Sequence, residues 1–197
     1  MNAIAAVGGY LLGSIPTAGL LGRLRGVDLR SQGSGNPGTA NALRTSGLWL
    51  AGAVLVVEAA KGFGAVRLGH VLADETGALA AGLAAVAGNV YNVWYRFEGG
   101  KGLGISLGVL SGLWPAVVPP VVVAIVAAMR LTRSSGIASL VAIATLVGMS
   151  FLWPATGWPT GGLESTSWRL PALAVGIALI ISPKHWRDAT LSSPGPP

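Results

Sequence analysis

The sequence predicts an all-α integral membrane protein of seven transmembrane helices, with its N-terminus outside and its C-terminus in the cytoplasm. Three observations carry this. Of the 197 residues, 52% are hydrophobic and only 10% charged, well under the roughly 25% charged content of a soluble domain. Apolar runs recur at about residues 3–22, 47–66, 76–95, 102–114, 116–129, 136–154 and 168–183. Apart from Lys61, inside the second run, the basic residues fall at or between the run ends, dense at one set of junctions and sparse at the other.

A helix needs about 20 residues, or about 17 at the short end, to cross the hydrocarbon core. Five of the runs meet or approach that length. The first lacks a basic leader and a clear small-residue cleavage site, so it reads as a retained helix and not a signal peptide. The stretch from Leu103 to Met129 is ambiguous, because Pro115, Pro119 and Pro120 either break it into a short hairpin or kink one long helix. Charge decides. If every run crosses, Arg23, Arg25, Arg30, Arg44, Arg96, Lys101, Arg130, Arg133, Lys184 and Arg187 share one side, and only Arg67 and Arg169 reach the other. Such an asymmetry places the basic side in the cytoplasm; a single crossing from Leu103 to Met129 would send Arg130 and Arg133 outward and spoil it. Trp49, Trp94, Trp114, Trp153, Trp158 and Trp168 stand at or near run ends, as interfacial anchors do. Residues 1–190 are expected to form a single membrane-embedded domain. The tail 191–197, rich in serine and proline, has nothing apolar to bury and is expected to be disordered.

Cysteine is absent, which excludes disulfides and thiolate metal sites. The net charge of +6 comes with no nucleic-acid-binding pattern. The chemistry lies in two loops on the predicted cytoplasmic face. Residues 28–44 read DLRSQGSGNPGTANALR; the glycines let successive N–H groups turn toward an anion, Ser34, Thr39 and Asn41 donate further, and Arg44 can grip phosphate bidentately. An ordinary polar connector could share that composition. The second loop, Arg96-Phe97-Glu98-Gly99-Gly100-Lys101-Gly102, is not a Walker A loop, since the glycine spacing, the Ser/Thr after lysine and the leading strand are missing. Lysine among glycines at a helix N-terminus nevertheless suits phosphate, because amides, helix dipole and ammonium point one way. Two such loops on one face say more than either alone.

The motifs Gly13-Ser14-Ile15-Pro16, then Gly33-Ser34-Gly35-Asn36-Pro37-Gly38 with Asn41 and Leu43-Arg44, then Phe97-Glu98-Gly99-Gly100-Lys101-Gly102 resemble, in order and spacing, the acyl-phosphate:glycerol-3-phosphate acyltransferase family, PlsY. The resemblance extends over nearly the whole chain. It implies a seven-helix bacterial inner-membrane enzyme with its active site facing the cytoplasm. Such an enzyme transfers an acyl group from acyl phosphate to the 1-hydroxyl of glycerol 3-phosphate, the first step of phospholipid synthesis, with no cofactor. It further implies that Ser34, Arg44, Lys101 and His185 are catalytic. Gly33, Gly35, Asn36, Asn41, Gly99, Gly100, Gly102, Arg133, Ser139 and Asp188 are implied to bind substrate.

Arg133 and Ser139 belong to a segment similar to a third family loop, with Gly136 where a serine is usual. His185 belongs to Lys184-His185-Trp186-Arg187-Asp188, with Asp188 where the family has asparagine. Gly88-Asn89-Val90-Tyr91-Asn92 lacks the histidine and proline usual before the second loop, and Ile105 stands near a usual threonine.

His70 and Glu75 approach the histidine–aspartate spacing of other glycerolipid acyltransferases, but topology puts them outside and the match is taken as chance. Glu58 and Lys61 share a helix face and can neutralise each other within the bilayer; they read as a supporting pair, and Asp28, Arg30 and Glu98 as loop-ordering charges. No metal is expected, and the partners are the two substrates and the bilayer, not nucleic acid. The rival is a small transporter or lipid-handling protein binding phosphorylated solutes without chemistry. It would be marked by inverted repeats and broken helices at the midplane, and no repeat is visible.

Overall fold

The computed structural model describes residues 1–164 and 168–191. The described residues contain helices and turns but no strand. Four stretches among them are long and apolar enough to cross a bilayer: Asn2–Leu24, Thr39–Tyr95, Pro115–Thr132 and Ser135–Thr156. Leu103–Leu113 is a shorter apolar helix. The expected disordered tail, beyond Leu191, lies outside the described residues. By their internal packing the residues group into two compact units, Met1–Gly112 and Leu113–Pro197, each described by itself below.

The first unit holds α1 (Asn2–Ser14), α2 (Thr17–Leu24), α3 (Thr39–Val90) and most of α4 (Leu103–Leu113). Pro16 separates α1 from α2, since it has no N–H to continue the ladder. Helix α3 is continuous only in name. Non-helical backbone at Gly47 sets off its first turns, and Ala73 and Asp74 break it again. At the second break the helix folds back: Gly69 lies against the backbone of Gly77, and Gly77 against that of Gly69. The runs expected at 47–66 and 76–95 are therefore the two legs of one hairpin. The outgoing leg, about 25 residues between the breaks, is roughly 37 Å long, and the returning leg of about 16 residues roughly 24 Å.

Small residues make the packing. Gly9 and Gly13 of α1 abut the backbone of Ala81 and Ala85 on the returning leg, and Gly88 abuts Tyr10. Gly104, Gly108 and Gly112 of α4 face Glu58, Ala59 and Val66 on the outgoing leg. These small-residue rows let backbones approach closely where the bilayer gives no hydrophobic drive between helices. The pairings also fix direction: α1 runs with the returning leg, and α4 with the outgoing one. Residues 25–38, the start of α3, the end of its returning leg and the start of α4 thus share one end of the unit. Arg67, His70 and Glu75 lie toward the other end, beside the Ala73–Asp74 break.

The ambiguous stretch is broken into two helices. Trp114 leaves the helical region and Pro115–Val117 form a 3-10 turn. Then α5 (Val118–Thr132) begins, with Pro119 and Pro120 in its first turn where missing N–H groups do no harm. In the second unit, α5, α6 (Ser135–Thr156) and α7 (Arg169–Leu191) follow. Arg133 closes α5 in the left-handed conformation, and the Ser134 hydroxyl caps α6 by accepting from the Ile137 N–H at 3.3 Å. Gly136 at the start of α6 lies on the backbone of Asp188 and Ala189 near the end of α7. A serine there would drive its Cβ into that backbone, which explains the departure from the family pattern.

Two tryptophans differ from expectation. Trp114 and Trp153 are buried, not interfacial, and stack edge to face with centroids 5.4 Å apart. Trp153 continues edge to face onto Trp158 at 5.8 Å and donates its Nε1–H to the Trp158 carbonyl. Trp49, Trp94, Trp158 and Trp168 are exposed, as anchors would be.

Candidate active-site loops

The first loop is held by two buried side chains. Leu29 is completely buried among Ala18, Ala42, Leu50 and Val54, and it nails the loop to α2 and α3. Asn41, 1% exposed, holds the rest. Its Oδ1 accepts the Ser34 N–H at 2.8 Å, and its Nδ2 donates to the carbonyls of Leu29 at 2.8 Å and Gln32 at 3.0 Å. Those bonds engage the whole amide, so Asn41 shapes the loop from within. Gly33 has φ +61 and its missing Cβ position is filled by Asn41 Oδ1, so both the turn and the packing require glycine. With the backbone fixed, Ser34 is exposed on the loop and Arg44 is exposed on the first turns of α3. Among the described residues, no acidic side chain pairs with Arg44.

The second loop is pinned from behind. Asn92, buried, accepts the N–H groups of Trp94 on its side chain and of Tyr95 and Phe97 on its carbonyl. Its Nδ2 donates to the Ser14 carbonyl at 2.6 Å. The Gly99 and Gly100 N–H groups donate to the carbonyls of Val90 and Asn89, each at 3.0 Å. Gly99 sits so close to the Asn89 carbonyl that any Cβ would collide with it. Gly102, at φ +83, then turns the chain into α4, which begins two residues after Lys101.

Arg30 ties the loops together. Its guanidinium donates to the Glu98 carbonyl at 3.0 Å, comes within 3.8 Å of the Glu98 carboxylate and lies 4.3 Å over the Tyr95 ring. Asp28 orders the Arg30 backbone by accepting its N–H. These three charges are loop-ordering, as the sequence suggested. Between the loops opens a cleft lined by Pro37 of the first, Gly100 of the second, Pro16, Thr17, Glu58 and Asn89.

In the second unit, Arg133 is exposed at the α5–α6 turn. Ser139 is buried and donates its hydroxyl to the Ser135 carbonyl at 2.7 Å. His185 is 1% exposed, and Asp188, three residues on, shares its helix face beside Gly136. Sequence reasoning had no roles for Asn89, Asn92 and Tyr95. Asn89 and Asn92 were noticed only as departures from the family pattern, and buried asparagine in an apolar context was the signal available.

A family model for glycerol-3-phosphate acyltransferase matches residues 3–190. A glycerol-3-phosphate acyltransferase of Symbiobacterium thermophilum is 41% identical over 183 residues, covering 93% of this chain and 86% of the relative. One from Synechococcus sp. strain JA-3-3Ab is 39% identical over 195 residues, covering 98% and 91%. The fold matches a crystal structure of PlsY, an integral membrane glycerol 3-phosphate acyltransferase, in its glycerol 3-phosphate form, with TM-score 0.79 and 26% identity over 96% of this chain and 90% of that one. The lysophosphatidic acid form matches with TM-score 0.78, 25% identity and the same coverage.

Proposed function

The chain belongs to the glycerol-3-phosphate acyltransferase family, and from that premise we propose that it transfers an acyl group from acyl phosphate to the 1-hydroxyl of glycerol 3-phosphate, releasing lysophosphatidate and phosphate. The observation that carries this reading is the pair of cationic glycine loops clasped at one end of the first unit, with Arg44 on one and Lys101 on the other.

Acyl phosphate is an activated mixed anhydride, so positioning and charge stabilisation suffice without a covalent enzyme intermediate. The glycerol hydroxyl oxygen attacks the acyl carbon, the bond from that carbon to the phosphate oxygen breaks, and the hydroxyl proton passes to a substrate phosphate. Arg44 and Lys101 hold phosphate groups. Ser34 and the N–H groups around Gly33 and Gly35 support the developing oxyanion, and His185 orients glycerol 3-phosphate. Arg133, Ser139, Asp188 and Asn36 contact substrate, while Asn41, Gly99, Gly100 and Gly102 keep the loops in shape.

Residues 1–190 act as one acyltransferase domain in the bacterial inner membrane. The chain crosses seven times, N-terminus outside and C-terminus inside, so that the loops meet cytoplasmic substrates. Support comes from the charge pattern and from the helix directions within the first unit, which put Arg23, Arg25, Arg30, Arg44, Arg96 and Lys101 at the loop end and Arg67 toward the other.

The test is turnover by the purified protein with acyl phosphate and glycerol 3-phosphate, scored for lysophosphatidate, with acyl-CoA and chelator as comparison arms. The expected result is turnover with acyl phosphate that survives chelation and far exceeds that with acyl-CoA. Robust turnover with acyl-CoA alone would refute the donor assignment, and binding without turnover would favour the solute-binding alternative.

A further inference from the structure

We propose that Glu58, Lys61 and Asn89 form a positioning device for the Lys101 loop, a chain of buried and partly buried hydrogen bonds that sets this loop against the first one; the inference rests on the assignment of Lys101 to the active site. Glu58 and Lys61 are 7% and 6% exposed. A buried ion pair is no economical way to hold helices together, because desolvation offsets its attraction. What distinguishes this one is where its bonds lead.

The Lys61 ammonium donates to Glu58 Oε1 at 2.9 Å and to the carbonyls of Ile15 at 2.7 Å and Gly13 at 3.3 Å. Those carbonyls lie at the break before Pro16, where α1 ends and the chain sets out toward the first loop. A cation there also complements the helix C-terminus. The second Glu58 oxygen accepts from Asn89 Nδ2 at 2.7 Å. Asn89 then accepts the Gly100 N–H on its own carbonyl, next to Lys101. An unbroken path of directed bonds therefore joins the approach to one loop with the backbone of the other. Apolar residues of equal volume would fill this space but would not fix the direction of the Asn89 amide.

The experiment uses the full chain in detergent, with melting temperature, kcat and the KM for each substrate measured for Glu58→Gln, Asn89→Asp, the double variant and Lys101→Ala. Glu58→Gln leaves one acceptor oxygen where both Lys61 and Asn89 donate, so its NH2 must face one of these donors; Asn89→Asp sets a carboxylate against Glu58. The double variant restores one donor and one acceptor, with the negative charge moved along the path. Each single substitution is expected to lower kcat/KM by about tenfold, and the double to recover to within about threefold of wild type. A role confined to packing would not produce rescue by two substitutions that each impair.

Singles within about twofold of wild type, or a double as impaired as the two singles combined, would overturn the proposal. So would loss of folding in all three, which would make the pair a folding element alone. Wild-type rates in Lys101→Ala would remove the site assignment on which the proposal rests; loss there with unaffected singles would remove only the positioning role.

Discussion

Asn41→Asp is nearly isosteric and should be among the most damaging changes available in the first loop. The carboxylate keeps the bond from the Ser34 N–H but turns an acceptor toward the carbonyls of Leu29 and Gln32, both now served by the amide. Two hydrogen bonds are lost, worth about 0.5–1.5 kcal/mol each, and the carbonyl of buried Leu29 is left facing charge, so the closed loop loses about 2–4 kcal/mol. If catalysis requires the closed loop, kcat/KM falls by roughly 30-fold to 1000-fold, less whatever stability the loop holds in reserve. Asn41→Ala loses all three bonds but introduces no repelling charge and leaves room for water, so about tenfold is expected. The order is the signature: aspartate worse than alanine. Initial rates of lysophosphatidate formation read it, with melting temperature reporting whether each variant is folded. A folded Asn41→Asp protein within about threefold of wild type, or one more active than Asn41→Ala, would refute the reasoning.

Arg44→Lys keeps the charge but loses the planar fork, and Lys101→Ala removes a charge-assisted bond; each should cost about tenfold to a hundredfold in kcat/KM, whereas Arg67→Ala, at the opposite end of the unit, should not. If both site variants match Arg67→Ala, the phosphate clamp is wrong. Gly99→Ala forces a Cβ into the Asn89 carbonyl, so the loop must shift and the rate should fall by more than about tenfold, with a raised KM for the phosphate-bearing substrates; an unchanged KM would show that the loop tolerates the shift. Sidedness is readable because the chain has no cysteine: a cysteine at exposed Ser31 or Glu98 should resist an impermeant thiol reagent in sealed cells, while one at Thr76 should react. Labelling at Ser31 or Glu98 from outside contradicts the topology.

Much of this protein is determined by one-dimensional chemistry. Apolar runs, their lengths and the separation of basic from neutral junctions are properties of the chain itself, because the bilayer acts on each segment independently. The break between Leu103 and Met129 was legible as a possibility from Pro115, Pro119 and Pro120, and the two loops from their glycines and cations. The Glu58–Lys61 pair was legible from helical spacing. Tertiary structure decided what happens when segments meet. The reversal between the runs 47–66 and 76–95 was legible too, but only packing sets it at Ala73 and Asp74, since no proline or glycine marks those two positions. Only packing buries Trp114 and Trp153, which composition alone assigned to the interface. Asn41, expected to bind substrate, braces its loop through Ser34, Leu29 and Gln32, while Asn89 and Asn92, noticed only as departures from the family pattern, hold the second loop through their hydrogen bonds. A polar side chain's role depends on which groups its donors and acceptors reach, and those groups can lie 78 residues away, as for Asn92 and Ser14; such partners are fixed only when the helices have docked.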